Sequence, residues 1–137
     1  MYLLDTNACI RILNGSSDRL VAHVRSHAPT EIRISSVTRA ELVYGARRSA
    51  RVSENLAVLA TFFAPLVSVP FDDTCAEHYG AVRASLAAAG RPIGPNDLLI
   101  AATALACNFT LVTHNVREFS RVAGLKIEDW ERDIPLE

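Results

Sequence analysis

Short apolar stretches alternate along the chain with longer stretches in which apolar residues recur every three or four positions. The short stretches have the length of β-strands, and the longer ones have the periodicity of amphipathic helices. The predicted strands are residues 2–4, 31–35, 66–69 and 110–113, with 126–128 as a candidate edge strand. The predicted helices are residues 7–13, 17–27, 41–48, 52–63, 74–89 and 97–107. This alternation predicts an α/β fold with a central, mostly parallel sheet covered by helices on both faces.

Cap and turn residues indicate where several helices begin. The Thr-x-x-Glu pattern at 38–41, repeated at 74–77, has the spacing of a capping box, which satisfies the free amide groups of a helix start. Residues 91–95 are rich in Gly and Pro and predict a turn, after which Asn96 is expected to cap the helix at 97–107. That helix is almost wholly apolar, so we expect it to be buried on most sides.

The composition is that of one globular domain. The 137 residues are 50% hydrophobic, which is enough for a core without disulfides or structural metal. Cys9, Cys75 and Cys107 lack CxxC spacing, so we expect buried free thiols in a reducing compartment. No apolar run approaches the length of a membrane span, and the first residues lack the basic, apolar pattern of a secretion signal. We therefore expect a soluble, cytoplasmic protein.

The net charge of −1 hides an uneven distribution of charge. Residues 128–137 hold five acids and one base, and the rest of the chain has 13 bases and 10 acids. Arginine supplies 13 of the 14 basic residues, and its planar guanidinium group suits phosphate oxygens. The charge is compatible with RNA binding, although a coding bias towards arginine explains it equally well.

Four acidic residues occupy positions at which strands end or helices begin. Asp5 follows the first strand, Glu41 follows the second, Asp97 follows the Gly/Pro turn, and Glu118 follows the strand that ends at Thr113. Parallel sheets gather such residues at the carboxyl ends of their strands. Crowded carboxylates repel one another, and oxygen ligands of this kind favour Mg²⁺ or Mn²⁺. Taken one at a time, each acid also suits a structural role as a helix cap or as a charge at a helix start.

Polar side chains beside these acids are candidates for orienting the carboxylates and their waters. Capping and turn formation are equally good explanations for them. The candidates are Thr6, Asn7, Thr113 and Asn115.

Arginines that could contact an RNA backbone are Arg39, Arg47, Arg48, Arg83, Arg91 and Arg117. Tyr79 and Trp130 could stack on bases, although packing is the expected role of both.

Four segments together resemble the four-acid signature of PIN domains, most closely that of VapC-type toxins. They are Leu-Asp-Thr-Asn at 4–7, Ala-Glu-Leu at 40–42, Gly-Pro-Asn-Asp at 94–97 and the segment at 112–119, and the tail at 124–130 fits as well. The resemblance implies a three-layer α/β/α domain over residues 1–137 that hydrolyses RNA phosphodiester bonds with Mg²⁺ or Mn²⁺. Asp5 and Asp97 would bind the metal directly, and Glu41 and Glu118 would complete the acidic site. Many PIN domains have Asp where this chain has Glu118.

The same resemblance implies partners and a class of substrate. VapC toxins pair with a VapB antitoxin, whose C-terminal segment covers the toxin and blocks its active site. The resemblance also implies a homodimer and a larger toxin–antitoxin complex that binds promoter DNA through the antitoxin. The apolar stretch at 42–66 is a candidate docking region, although core packing also explains it. The implied substrates are RNAs such as tRNA, including initiator tRNA.

Two other functions remain open at this stage. A haloacid-dehalogenase-like phosphatase would use Asp5 as a nucleophile, but that family needs a second Asp where Asn7 stands, and a supporting lysine. Lys126 is the sole lysine of the chain. The other alternative is a non-catalytic PIN fold that binds RNA or a partner protein.

Overall fold

Five short strands form one wholly parallel sheet in the computed structural model, which describes residues 1–132. The strands are β1 (Tyr2–Leu4), β2 (Ile32–Ser35), β3 (Val67–Val69), β4 (Thr110–Val112) and β5 (Ile127–Glu128). Their order across the sheet is β3-β2-β1-β4-β5, and every neighbouring pair is parallel. The expected sheet is confirmed, and the candidate edge strand is β5.

Helices cover both faces of this sheet. They are α1 (Thr6–Asn14), α2 (Asp18–Arg25), α3 (Ser36–Arg47), α4 (Val52–Phe63), α5 (Asp73–Ala88), α6 (Pro95–Cys107) and α7 (Val116–Phe119), with a 3₁₀ turn at Pro29–Glu31. Successive strand residues point to opposite faces: Leu4 packs in a core with residues of α1 to α4, and Leu3 packs in a second core with residues of α5 to α7. The three-layer α/β/α architecture is therefore confirmed.

Two helices begin earlier than their capping-box patterns predicted. Ser35 caps α3, because its Oγ accepts a hydrogen bond from the Thr38 amide at 3.0 Å. Asp72 caps α5 in the same way through the Cys75 amide, also at 3.0 Å. Both capping-box predictions were wrong, since a better acceptor lies a few residues upstream in each case. Glu41 consequently lies in the second turn of α3 and not in its first.

The start of α6 also differs from the prediction. Its first residue is Pro95 and its N-cap is Gly94, so Asn96 lies inside the first turn and does not cap it. Proline suits the first helical position because its ring fixes φ and the missing amide hydrogen has no partner there. The predicted burial of this helix is confirmed: Ile100, Ala101 and several following residues have no exposed surface. Helix α6 thus carries Asp97 into the molecule on a rigid support.

The segment after β5 is held against α2 by aromatic packing. The Trp130 indole, 3% exposed, lies parallel to the rings of His23 and His27 at centroid distances of 4.3 and 4.8 Å. The edge of Tyr2 meets the same indole at 4.9 Å. These contacts place Asp129 and its neighbours beside the carboxyl end of the sheet.

The cysteines are free thiols, as expected. Cys9 and Cys75 are buried, and Cys107 is half-buried. Burial raises the pKa of the Cys9 thiol far above its usual range, so this thiol stays protonated and packs as an apolar group. Within residues 1–132, the structure has no helix with both the length and the apolar character needed to cross a bilayer.

Candidate active site

The four predicted acids lie in the same region, at the carboxyl end of the sheet. Asp5 directly follows β1, and Glu41 and Glu118 lie on the helices that follow β2 and β4. Asp97, at the third position of α6, is close enough to the other three that all of their charges raise its pKa. A Cβ placed on Gly94 would lie 3.6 Å from Oδ2 of Asp97 and 3.8 Å from Oε1 of Glu118. These two carboxylates therefore flank the Gly/Pro turn.

Asp5 is the most buried of the four acids, with 2% of its surface exposed. Its Oδ1 accepts a hydrogen bond from the Ala8 amide at 2.8 Å, so Asp5 also caps α1. Its Oδ2 accepts one from Thr113 Oγ1 at 2.6 Å. Burial raises the pKa of this carboxyl group, and the two hydrogen bonds oppose that rise. The role of Asp5 as a helix cap leaves it able to bind a cation as well, because a carboxylate oxygen that accepts one hydrogen bond still has a free lone pair.

Asp97 lacks the support that Asp5 has. Within the described residues, no group donates a hydrogen bond to its half-buried carboxylate. Burial, and after it the charges of Glu118, Asp5 and Glu41, together raise its pKa to about 6. A partly desolvated carboxylate surrounded by negative charge is stabilised by a proton or by a cation. Of the four acids, Asp97 is therefore the one that a bound cation would stabilise most.

Glu118 is held in one orientation by two donors. The Gly94 amide donates to Oε1 at 2.8 Å, and Asn115 Nδ2 donates to Oε2 at 2.9 Å. These hydrogen bonds, the Gly94 amide first, lower the pKa of Glu118 below its usual value. The side chain reaches from α7 to the turn before α6, where the Gly94 amide holds it.

Glu41 is oriented by a chain of hydroxyl groups. Thr6 Oγ1 donates to Glu41 Oε1 at 2.7 Å and lies 3.1 Å from Thr38 Oγ1. The buried Thr38 hydroxyl in turn lies 3.3 Å from Ser35 Oγ. Thr38 and Glu41 are three residues apart on one helix, so they share a face. That spacing is the local sequence signal for Thr38, although the same Thr-x-x-Glu pattern also fits a capping box.

Three of the four predicted orienting residues contact an acid. Thr6, Thr113 and Asn115 hydrogen-bond Glu41, Asp5 and Glu118 respectively. Asn7 differs: it is exposed on α1 and lines a neighbouring pocket, and within residues 1–132 no hydrogen bond joins it to an acid. A role for Asn7 stays a prediction.

The C-terminal segment adds a second polar network that was not predicted. His114 Nδ1 lies 3.0 Å from Asp129 Oδ2, and the Glu131 amide donates to Asp129 Oδ1 at 3.0 Å. Arg11 Nε pairs with Glu131 Oε1 at 2.5 Å. The charge of Glu131 is one of the smaller causes that raise the pKa of Asp5. Arg11 partly neutralises a fifth acid beside the site.

Comparisons with known proteins support a functional assignment. The model of the PIN domain family matches residues 2–125. The chain is 39% identical over 129 residues to the tRNA(fMet)-specific endonuclease VapC of Salmonella typhimurium, covering 94% of this chain and 97% of that protein. It is 42% identical over 132 residues to the protein of the same name from Shigella flexneri, with the same coverage of 94% and 97%.

A solved structure agrees with these relatives. It is the crystal structure of VapBC2 from Rickettsia felis bound to a DNA fragment from their promoter. A chain of that complex superposes on this one with a TM-score of 0.88 and 40% sequence identity. The match covers 94% of this chain and 98% of that chain.

Proposed function

Because this chain belongs to the PIN-domain family and, within it, to the VapC group, we propose that it is a metal-dependent endoribonuclease and the toxin of a type II toxin–antitoxin pair. The proposed metal dependence is supported mainly by the environment of Asp97. Its half-buried carboxylate has no hydrogen-bond donor within the described residues and faces three other acids. The relatives named as ribonucleases support the class of reaction.

The donor set fits Mg²⁺ or Mn²⁺. All four groups are carboxylates, which are hard oxygen ligands. Asp5 and Asp97 are the proposed direct ligands, and Glu41 and Glu118 complete the site directly or through water. A bound divalent cation would polarise the scissile phosphate, activate a water molecule and stabilise the leaving oxygen.

The protein's own contribution is to fix the carboxylates before substrate binds. Thr113 and the Ala8 amide hold Asp5, and Thr6 holds Glu41. Asn115 and the Gly94 amide hold Glu118. Since each donor is itself placed by a strand end or a helix start, little reorganisation is needed when a metal ion and RNA bind. The negative charge concentrated here makes it unfavourable for an RNA phosphate to approach without a cation.

The proposed substrate is a structured RNA, and initiator tRNA is the first one to test. Relatives from Salmonella typhimurium and Shigella flexneri carry names specifying tRNA(fMet). The proposed partner is a VapB-like antitoxin, and we propose that the toxin forms a homodimer within a complex that binds promoter DNA through that antitoxin. Solved complexes of related chains, such as VapBC2 with a promoter fragment, support this assembly.

The expected docking region at 42–66 contains both core and surface residues. Leu59 and Phe63 are buried in the core, so packing explains them. Tyr44 and Val58 are 65% and 52% exposed and remain available to a partner. The antitoxin contact is therefore proposed for the exposed residues of this stretch.

The phosphatase alternative has little support. Lys126 precedes β5, and its Nζ donates to the carbonyl of Asn108, which precedes β4. The lysine thus lies at the amino ends of the strands, whereas Asp5 lies at their carboxyl ends. It cannot assist an aspartate nucleophile there.

RNA cleavage in cells and in vitro tests the proposal. The chain is expressed with and without its antitoxin, and new 5′ ends in total RNA are mapped by sequencing. Purified protein is then assayed on initiator tRNA with Mg²⁺, with EDTA, and as the Asp5→Ala variant. Asp73→Ala, which replaces an exposed acid in the first turn of α5, is the matched control.

We expect RNA cleavage in Mg²⁺ by the wild type and by Asp73→Ala alone. Cleavage by well-folded Asp5→Ala would contradict the proposed site, and a metal-binding protein that cleaves no RNA would favour the non-catalytic alternative.

A further inference from the structure

A cavity of about 360 Å³ lies beside the acids, between α5 and the Gly/Pro turn. Tyr79 and Arg83 of α5 form one wall, and Pro92, Ile93 and Pro95 form the other. The volume falls within the range of about 300–1,000 Å³ that is usual for small-ligand sites. Neither the four acids nor the groups that orient them line this cavity, so the proposed metal site does not account for it.

The cavity and the acidic site share one turn. Ile93 and Pro95 line the cavity, and Gly94 between them donates its amide hydrogen to Glu118. A Cβ added to the same glycine would lie within van der Waals range of Asp97 Oδ2. An RNA strand whose phosphate lies at the acids therefore has its neighbouring nucleotide next to this cavity.

The lining of the cavity suits a nucleobase. Leu86 and Leu98 supply buried apolar surface, and the half-buried Tyr79 lines the cavity with them. Arg83 Nη1 donates to Tyr79 Oη at 2.8 Å, so the hydroxyl and the guanidinium group lie together at the rim. Flat apolar walls stack on a base, and the Arg83 guanidinium group can hydrogen-bond its edge or its phosphate.

The charge at the rim favours an anionic polymer over an uncharged small molecule. Arg83 lines the cavity, and no acidic side chain does so among the described residues. Arg121 Nη1 donates to the Pro92 carbonyl at 3.0 Å, which holds the turn and brings a second guanidinium group nearby. The acids repel RNA phosphates while the arginines attract them, so this side of the site is the favourable approach for the strand.

We propose that this cavity binds the RNA base adjacent to the cleaved bond, with Tyr79 stacking on the base and Arg83 contacting its edge or phosphate, so that these two residues determine the nucleotide preference of cleavage. The proposal rests on the proposed ribonuclease function. Among residues 1–132, no hydrogen bond or ion pair joins Tyr79 or Arg83 to the four acids, so the metal site should form without them.

The test measures cleavage of short RNAs that differ only in the nucleotides on either side of the cleaved bond. The variants are Tyr79→Ala, Tyr79→Phe and Arg83→Ala. Arg25→Ala is the matched control, because Arg25 is exposed at the end of α2 and does not line the cavity. Circular dichroism, sedimentation velocity and Mg²⁺ affinity are measured for every variant.

We expect Tyr79→Ala to raise KM by about tenfold to a hundredfold, which corresponds to the loss of one stacked base, and to flatten the nucleotide preference. Tyr79→Phe keeps the ring and should keep the preference. Arg83→Ala should raise KM and reduce the slope of log affinity against log salt by about 1. Mg²⁺ affinity and the oligomeric state should not change in any variant, and the Arg25→Ala protein should keep the wild-type KM and nucleotide preference.

Three results would overturn the proposal. The first is folded Tyr79→Ala and Arg83→Ala proteins with wild-type KM and nucleotide preference, which would leave the ribonuclease function intact. The second is a loss of activity that follows dissociation in sedimentation velocity, which would assign the cavity to contact with a second copy of the chain. The third is a wild-type protein that cleaves no RNA, which would remove the proposed function as well.

Discussion

Thr113 donates a hydrogen bond from Oγ1 to Asp5 Oδ2 at 2.6 Å, although the two residues are 108 positions apart. Both are almost fully buried, at the carboxyl ends of adjacent strands β1 and β4. The same hydroxyl oxygen accepts a hydrogen bond from the Asn115 amide at 3.0 Å. Thr113 therefore links the carboxylate of Asp5 to the loop that carries Asn115, whose side chain hydrogen-bonds Glu118.

Thr113→Val should weaken the metal site while the fold persists. The valine has nearly the same shape but leaves Asp5 Oδ2 without its donor, so we expect a 10- to 100-fold loss of Mg²⁺ affinity or activity. The free energy of unfolding should fall by about 1–2 kcal/mol. Calorimetry with Mg²⁺ and urea denaturation measure the two effects. Thr110→Val, at the start of β4, is the control and should bind Mg²⁺ normally; equal affinities of the two variants would refute the role of Thr113.

Asp97→Asn should stabilise the metal-free protein. Because the pKa of Asp97 is raised to about 6, the folded state binds a proton that the unfolded state has already lost between about pH 4 and 6. The ionised carboxylate therefore costs stability above pH 6, and the amide removes that cost. Solvent screens part of the repulsion, so we expect a gain of about 1 kcal/mol at pH 7.5.

Urea denaturation in EDTA at several pH values tests this expectation. The gain in the free energy of unfolding of Asp97→Asn over the wild type should grow as the pH rises from about 4 to above 6. Saturating Mg²⁺ should reverse this difference, because it stabilises the wild type alone. Asp73→Asn serves as an exposed control. If Asp97→Asn were less stable than the wild type in EDTA at pH 7.5, the repulsion inferred among the four acids would be wrong.

Mg²⁺ and a proton should compete for Asp97. The pKa near 6 means that acidification below this value protonates the carboxylate and lowers the affinity for the metal. Higher Mg²⁺ concentration should therefore shift the acidic limb of the activity profile to lower pH. The measurement is the cleavage rate between pH 5 and 8 at several Mg²⁺ concentrations. A limb that does not move with Mg²⁺ would assign the titration to another group.

The sheet and the meeting of the acids were predictable, because both depend on local patterns. Apolar strands interrupted by Asp5 and followed by Glu41 lead to one sheet edge whenever the strands are parallel. The helix starts were less predictable, since neighbouring polar residues compete to cap the same amides. Ser35 and Asp72 prevail over the Thr-x-x-Glu patterns a few residues later.

Contacts between distant residues left no local signal. Arg11 and Glu131 pair across 120 positions, and His114 reaches Asp129 from another segment. The aromatic packing of Trp130 on His23 and His27 of α2 holds this segment in place, and it too joins residues far apart in the sequence. The network around the acids could therefore be recognised only in three dimensions.

Titration of Mn²⁺ or Mg²⁺ by isothermal calorimetry tests most directly whether the four acids form one metal site. The proteins compared are the wild type, Asp5→Asn, Asp97→Asn and the exposed control Glu54→Gln on α4. Saturable binding by the wild type and by Glu54→Gln, with at least a tenfold loss in both aspartate variants, is the predicted result. Wild-type affinity in folded Asp5→Asn and Asp97→Asn proteins would contradict the assignment.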